Sequence, residues 1–163
     1  MDLIIDTGTW LKLEKLNKLN LFQSINLYRW AKIQITHEVE KELIYFNCIS
    51  WIKKKTQILP IYDQEIYQEA RDLDFDEADA SILSFGKITN NSIIIISEDR
   101  PLIDYARLND FKAIFLADLF QIFTGMGNLS KKELYNLIVN LYDLRNINLK
   151  KKKTILTWRD TFK

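Results

Sequence analysis

Four carboxylates occupy positions where an α/β chain gathers reactive groups, and they set the chemistry this sequence can support. Asp6 directly follows the apolar stretch Leu3–Ile5. Glu42 lies in the helical segment after Ile33–Ile35, Asp79 in the first turn of a helix opened by Asp76, and Asp99 just after the run Ile93–Ile96. Glu77 and Glu98 stand beside two of them. Successive strands of a parallel sheet open on the same rim, so acids far apart in sequence can converge there. Glu42 sits about two turns beyond its strand end and reaches the rim only if its helix leans over. Like charges gathered in one cleft raise one another's pKa unless a cation sits among them. With one His and one Cys in the chain, the available donors are oxygens, which suit Mg²⁺ or Mn²⁺ better than Zn²⁺. Such an ion lowers the pKa of a bound water, orients it at phosphorus and stabilises charge in the transition state. The implied chemistry is phosphodiester hydrolysis by one metal ion or two, without Ser–His–Asp or Cys–His machinery. Neither a P-loop nor a G-x-G-x-x-G fingerprint is present.

Each acid also has a plainer reading. Asp76 is sufficiently explained as an N-cap. Asp79 and Glu77 suit the positive end of a helix dipole, Asp99 suits a cap, and Glu42 suits an exposed helix face. Asp6 follows its strand so closely that partial burial is expected, and a buried carboxylate without a partner is costly.

The elements that must position these groups follow from period and punctuation. Leu3–Ile5 predicts a short strand, Thr7-Gly8-Thr9 a turn, and a helix from near Trp10. Phe22–Trp30 reads as a second short helix and Ile33–Ile35 as a strand. A helix capped by Thr36 follows, with Val39, Leu43 and Phe46 on one apolar face and Trp51 and Ile52 continuing it. Ile58–Ile61 suits an edge strand because Pro60 cannot donate to a ladder. Ile66 and Ala70 mark an amphipathic helix, and Asp76 caps a helix over Glu77–Lys87 with Asp79 at its third position. Ile93–Ile96 shows no alternation, as a strand covered on both faces requires. Pro101 suits the first turn of the next helix, and Lys112–Leu116 gives a further strand. A helix with Phe120 and Phe123 stops at Gly125-Met126-Gly127. Ser130 and Glu133 then form a capping box ahead of Leu134, Leu137, Ile138 and Leu141. This alternation predicts a parallel sheet.

The bulk numbers bound the rest. A chain of 163 residues with 47% apolar and 28% charged content is a single domain with a real core. No apolar run is long enough to cross a membrane. A strand-like start with an acid at position 2 argues against a secretory signal. A lone Cys48 excludes an internal disulfide and fits a reducing, cytoplasmic setting. The formal charge of +1 means that nucleic-acid binding must rest on local distribution. Arg100 and Arg107 lie near the acids and suit phosphate oxygens, although Arg107 also suits an acid or a helix end. Lys53–Lys55 and Lys150–Lys153 extend a phosphate track or are solvated ends. Trp158 and Phe162 in the tail suit base stacking or burial against a partner. His37 reads as a surface residue, Asp104 as a neighbouring or surface acid, and Asp118 as an outlying candidate.

On these residues the chain resembles the PIN-domain family, and within it the small VapC-like proteins. LIIDTGTWLKLEKLNKLNLF is similar to that family's first strand, aspartate and helix. ITHEVEKEL resembles the second motif, with Val39 packing and Glu42 as the metal-facing acid. DEADASILSFGK resembles G-E-x-x-A-x-x-L-A, which places Glu77 at the glutamate and Asp79 two residues on, and leaves open which of them is the main third ligand. IIISEDRPLIDYAR resembles T-x-D or D-D-x-x-A-R, with Ser97 in the hydroxyl slot and Asp99 in the acid slot. GMGNLSKKELYNLIVNLYDL is similar to the family's C-terminal helix. The likeness covers roughly residues 3–145. It implies a three-layer α/β/α sandwich with a mostly parallel sheet, in which residues 1–147 form a nuclease domain and 148–163 a basic tail or an edge strand. It implies a Mg²⁺- or Mn²⁺-dependent endoribonuclease acting through Asp6, Glu42, Asp79 and Asp99. Glu77 joins these as a metal ligand, and Ser97, Arg100 and Arg107 meet the RNA. Toxin function, a small antitoxin partner and a homodimer follow from the same likeness. The alternative is a catalytically weak interaction module on that fold. A 5′-nuclease acting on DNA flaps needs a longer chain than this.

Overall fold

The computed structural model describes residues 1–48, 55–87 and 93–161. It is a three-layer α/β/α sandwich. Its five strands are β1 (Asp2–Ile5), β2 (Lys32–Thr36), β3 (Gln57–Leu59), β4 (Ile93–Ile96) and β5 (Ala113–Ile114), in the order β3-β2-β1-β4-β5. All described pairings are parallel, with Leu3 opposite both Ile33 and Ile94. Leu3, Ile4, Ile5 and Ile96 are fully buried, as expected where helices cover both faces. Each such side chain stabilises the fold by about 1.5–3 kcal/mol relative to exposure. Gln34 is buried too, its Nε2 facing Gln57 Oε1 at 3.5 Å on the neighbouring strand.

This order has one functional consequence. The chain builds outward from β1 through β2 to β3, then returns to the other side of β1 for β4 and β5. The direction therefore reverses between β1 and β4, and their carboxyl ends form the crevice where open α/β sheets bind ligands. Asp6 and Ser97–Asp99 are the residues that emerge there. The Asp6 N–H donates to the Ile96 carbonyl at 3.1 Å, which extends the ladder to the rim.

The helices are α1 (Thr7–Lys18), α2 (Leu27–Trp30), α3 (His37–Tyr45), α4 (Gln64–Asp72) and α5 (Glu77–Leu83), followed by α6 (Arg100–Leu108), α7 (Leu116–Gly125), α8 (Lys131–Asp143) and α9 (Leu149–Thr161). α5 packs on α3, α4 and α6, while α8 packs between α7 and α9. Asp63, Asp76 and Ser130 cap α4, α5 and α8 through their side chains, and the Ser130–Glu133 capping box is present. Pro101 lies in the first turn of α6.

Several expectations are corrected. Thr7-Gly8-Thr9 is not a turn but the first turn of α1, because Asp6 caps it directly. Only Ser24–Asn26, a 3-10 turn, and the four residues of α2 are helical within Phe22–Trp30. α3 ends at Tyr45, and Phe46 is exposed rather than part of the buried face. Trp51 and Ile52 fall outside the described residues, as do Lys53, Lys54 and Phe162. α5 stops at Leu83, four residues short of Lys87. Gly86 follows because a Cβ there would stand 2.1 Å from the Phe111 ring. The last strand is only Ala113–Ile114, since Leu116 already begins α7. Gly127 adopts φ +79°, the left-handed conformation that glycine enters without strain. The basic tail is neither an edge strand nor a free arm but α9. Asn148 Oδ1 accepts from Lys151 N at 2.8 Å to cap it, and fully buried Ile155 anchors it.

Candidate functional site

Asp6 is 5% exposed and is held by three donors. Its Oδ1 accepts from Thr9 N at 2.7 Å, and its Oδ2 accepts from the Ser97 hydroxyl and, at 3.3 Å, from Glu98 N. Burial nevertheless outweighs these bonds and pushes the Asp6 carboxyl above its ordinary value. Ser97 is fully buried, and its Oγ also accepts from Asp99 N at 2.9 Å. Ser97 thereby links Asp6 to the Asp99 backbone.

α3 does lean over the rim, as Glu42 requires. Thr7 Oγ1 at the start of α1 donates to Glu42 Oε2. Burial, and then the charges of Asp76 and Asp6, raise the Glu42 carboxyl. Asp79 is raised as well. Burial, followed by the fields of Asp76, Asp6, Asp99 and Glu42, pushes it up to about 8. The four acids singled out in the sequence thus share one electrostatic neighbourhood at the switch between β1 and β4.

Asp76 belongs to that neighbourhood as well. Its Oδ1 accepts from Asp79 N at 2.8 Å, so it caps α5 as expected, yet its charge is the largest one acting on both Asp79 and Glu42. Sequence reading missed this second role because the cap was reason enough for the residue. Asp99 departs in the opposite direction. It holds the N-cap position of α6 but makes no capping bond with its side chain, so the plain explanation for that acid fails.

Other candidates stand apart. Glu77 opens α5 in an exposed position and is not among the charges acting on Asp79 or Glu42. Glu98 is a strut. It accepts from Leu116 N at 2.9 Å and from Asn146 Nδ2, tying the end of β4 to α7 and to the turn before α9. Asp118 accepts from Phe115 N at 3.4 Å and pairs with Lys151. Arg100 is exposed and pairs with Asp104 at 3.5 Å. Arg107 donates through Nε to the Ala113 carbonyl at 3.0 Å and lies over the Phe115 ring. His37 is exposed and faces Glu40 at 3.8 Å. Cys48 is buried, and burial together with the Glu14 carboxylate pushes its thiol up to about 12, far from a nucleophile's range.

Scanned against family models, curated proteins and solved structures, the chain matches none.

Among the described residues, no three His, Cys, Asp or Glu side chains stand close enough to grip one ion as they are placed. The donor chemistry fits a hard cation all the same. Among the described residues, the charges that raise Asp79 are all carboxylates. Among the described residues, no donor is bonded to the carboxylates of Asp79 or Asp99, which leaves their oxygens available. Asp6 is rigid by contrast. The arrangement thus combines one fixed carboxylate with less constrained ones facing it. No described helix is long and apolar enough to cross a membrane.

Proposed function

We propose that this chain is a metal-dependent endoribonuclease of PIN-like fold, with Asp6, Glu42, Asp79 and Asp99 as its acid centre. The observation that carries this reading is the Asp79 carboxyl pushed up to about 8 by burial and then by the fields of Asp76, Asp6, Asp99 and Glu42. A fold tolerates such crowding where a cation relieves it or where chemistry needs it. Mg²⁺ or Mn²⁺ held by Asp6, Asp79 and Asp99, with Glu42 alongside, would supply an activated water and charge stabilisation at phosphorus. The protein's own part is positional. Thr9, Ser97 and the Glu98 backbone fix Asp6, and Ser97 holds the Asp99 backbone beside it. Thr7 fixes Glu42. The resemblance of the four acidic motifs supports RNA as substrate, a toxin role with a small antitoxin, a homodimer and a cytoplasmic setting.

The test is cleavage of labelled RNA and DNA in Mg²⁺, Mn²⁺ or EDTA, comparing the wild type with Asp99→Asn. Expected are RNA products that need the divalent ion and disappear in the variant. Cleavage that persists in EDTA or in Asp99→Asn overturns the reading.

A further inference from the structure

Beside the acid centre, a cleft of about 440 Å³ opens between the start of α6 and the turn joining α8 to α9. Arg100, Arg107 and Lys151 line it together with Phe115, Asn146 and Asn148, while Glu98 and Asp104 supply its acids. The cleft is continuous with the centre along the chain. Ser97 and Asp99 contact or join the acid group, and Glu98 and Arg100 alternate with them along the β4–α6 connection, facing the cleft. The β4–α6 connection thus carries residues of the acid group and of the cleft lining on consecutive positions.

The lining has the composition that single-strand recognition uses. It combines an aromatic face, cations for phosphate and amides for base edges. Phe115 is half-buried, and the Arg107 guanidinium lies over its ring, 5.8 Å from the centroid, so that ring and cation form one cation–π pair at the cleft. The cleft also lies at the border of a strong charge division. Residues 131–163 carry nine Lys and Arg against three Asp and Glu, whereas residues 1–130 carry fourteen against nineteen. That division continues a phosphate track from Lys151 along α9 and leaves the acid centre on the negative body. A formal charge of only +1 overall conceals it.

We infer that this cleft is a docking subsite for one nucleotide of single-stranded RNA adjoining the scissile phosphate, with the base on Phe115 and the phosphate met by Arg107 and Lys151. The inference rests on the nuclease reading for its register relative to the acids, but its binding chemistry does not need those acids to react.

The test is fluorescence anisotropy of the full chain with a short, unstructured, labelled RNA in EDTA, across a salt series. Phe115→Leu removes the ring and is expected to weaken binding about tenfold with an unchanged salt slope, since stacking is insensitive to salt. Phe115→Tyr is expected to restore it. Arg107→Gln is expected to weaken binding and to reduce the slope by about 0.7, the value for one phosphate contact on a single strand. Lys18→Gln, an equal charge loss on α1, is expected to leave binding unchanged. Thermal melts of each variant confirm folding. Wild-type affinity in a folded Phe115→Leu variant, or equal losses in Lys18→Gln and Arg107→Gln, overturns the subsite. Because no cleavage is read, RNA binding of the expected kind with no acid-dependent cleavage refutes the nuclease and leaves the subsite standing.

Discussion

Replacing Asp79 with Asn is expected to stabilise the metal-free protein while removing its cleavage activity. The carboxyl is pushed from 3.8 to about 8 by burial and by four neighbouring acids. The folded state therefore holds a proton that the unfolded chain releases. Stability then falls as pH rises between roughly 4 and 8 and levels off above that window. Four units at about 1.4 kcal/mol each set a ceiling of about 5–6 kcal/mol. Water reaching this half-buried side chain screens the field, so about 2 kcal/mol is expected to remain. Asn keeps the shape and carries no charge to be repelled. At pH 8 in EDTA it should raise Tm by about 4–8 °C for a chain of this size, and near pH 4 the two proteins should converge. Asp6, Glu42 and Glu98 are raised in the same direction, so the variant keeps part of the slope. Adding Mg²⁺ at pH 8 reverses the comparison, because an ion stabilises the state it binds and the wild type offers it one more carboxylate. The assay is differential scanning fluorimetry from pH 4 to 9, with and without Mg²⁺, alongside RNA cleavage. An Asn variant less stable than wild type at pH 8 without metal, or one with an unchanged pH slope, would refute the crowding on which the functional reading depends.

Other outcomes follow from single contacts. Asp99→Asn should not lower Tm in EDTA, because that side chain caps nothing and its charge is one of those crowding Asp79, while cleavage falls by about a hundredfold or more. Asp6→Ala should lose both cleavage and stability, the latter by about 1–2 kcal/mol in a denaturant melt, since it removes the cap of α1. Glu77→Gln should cleave at the wild-type rate in the same assay, being exposed and outside the group of charges on Asp79. Ile155→Ala should cost about 3 kcal/mol in urea unfolding, as it empties the one fully buried position of α9.

The fold was legible in the sequence where a pattern had a single physical explanation. Ile93–Ile96 offers no polar face and so had to be covered on both sides. Ser130 and Glu133 satisfy each other's backbone donors at the start of α8, and they do so in the structure. Legibility failed where one pattern suits two conformations. Lys112–Leu116 is uniformly apolar after its lysine, and nothing local marks where the strand stops and α7 starts. The tail misled for the opposite reason. Its lysines conceal any apolar period, and it docks as a helix through buried Ile155, with Leu156 and Trp158 packed against the core. Thr7-Gly8-Thr9 looks like a turn by composition, but Asp6 caps the chain two residues earlier than a glycine-centred turn would allow.

The candidate site was legible for the same reason that it is strained. An acid directly after an apolar strand has few neutral uses, and Asp6 and Asp99 follow the two strands between which the sheet reverses direction. Their proximity is a consequence of strand order, which no local sequence pattern reveals, and it needs Ser97 to bridge them. A cap and a charge are separate properties of one carboxylate. Asp76 therefore serves α5 through one oxygen while its field still loads Asp79, whereas Asp99 sits where a cap belongs and does not act as one. The informative acids are accordingly those whose local role is absent or insufficient to explain their placement. By that criterion Asp99 and Asp79 carry more functional weight than Glu77, although all three occupy the first turns of helices and look alike in the sequence.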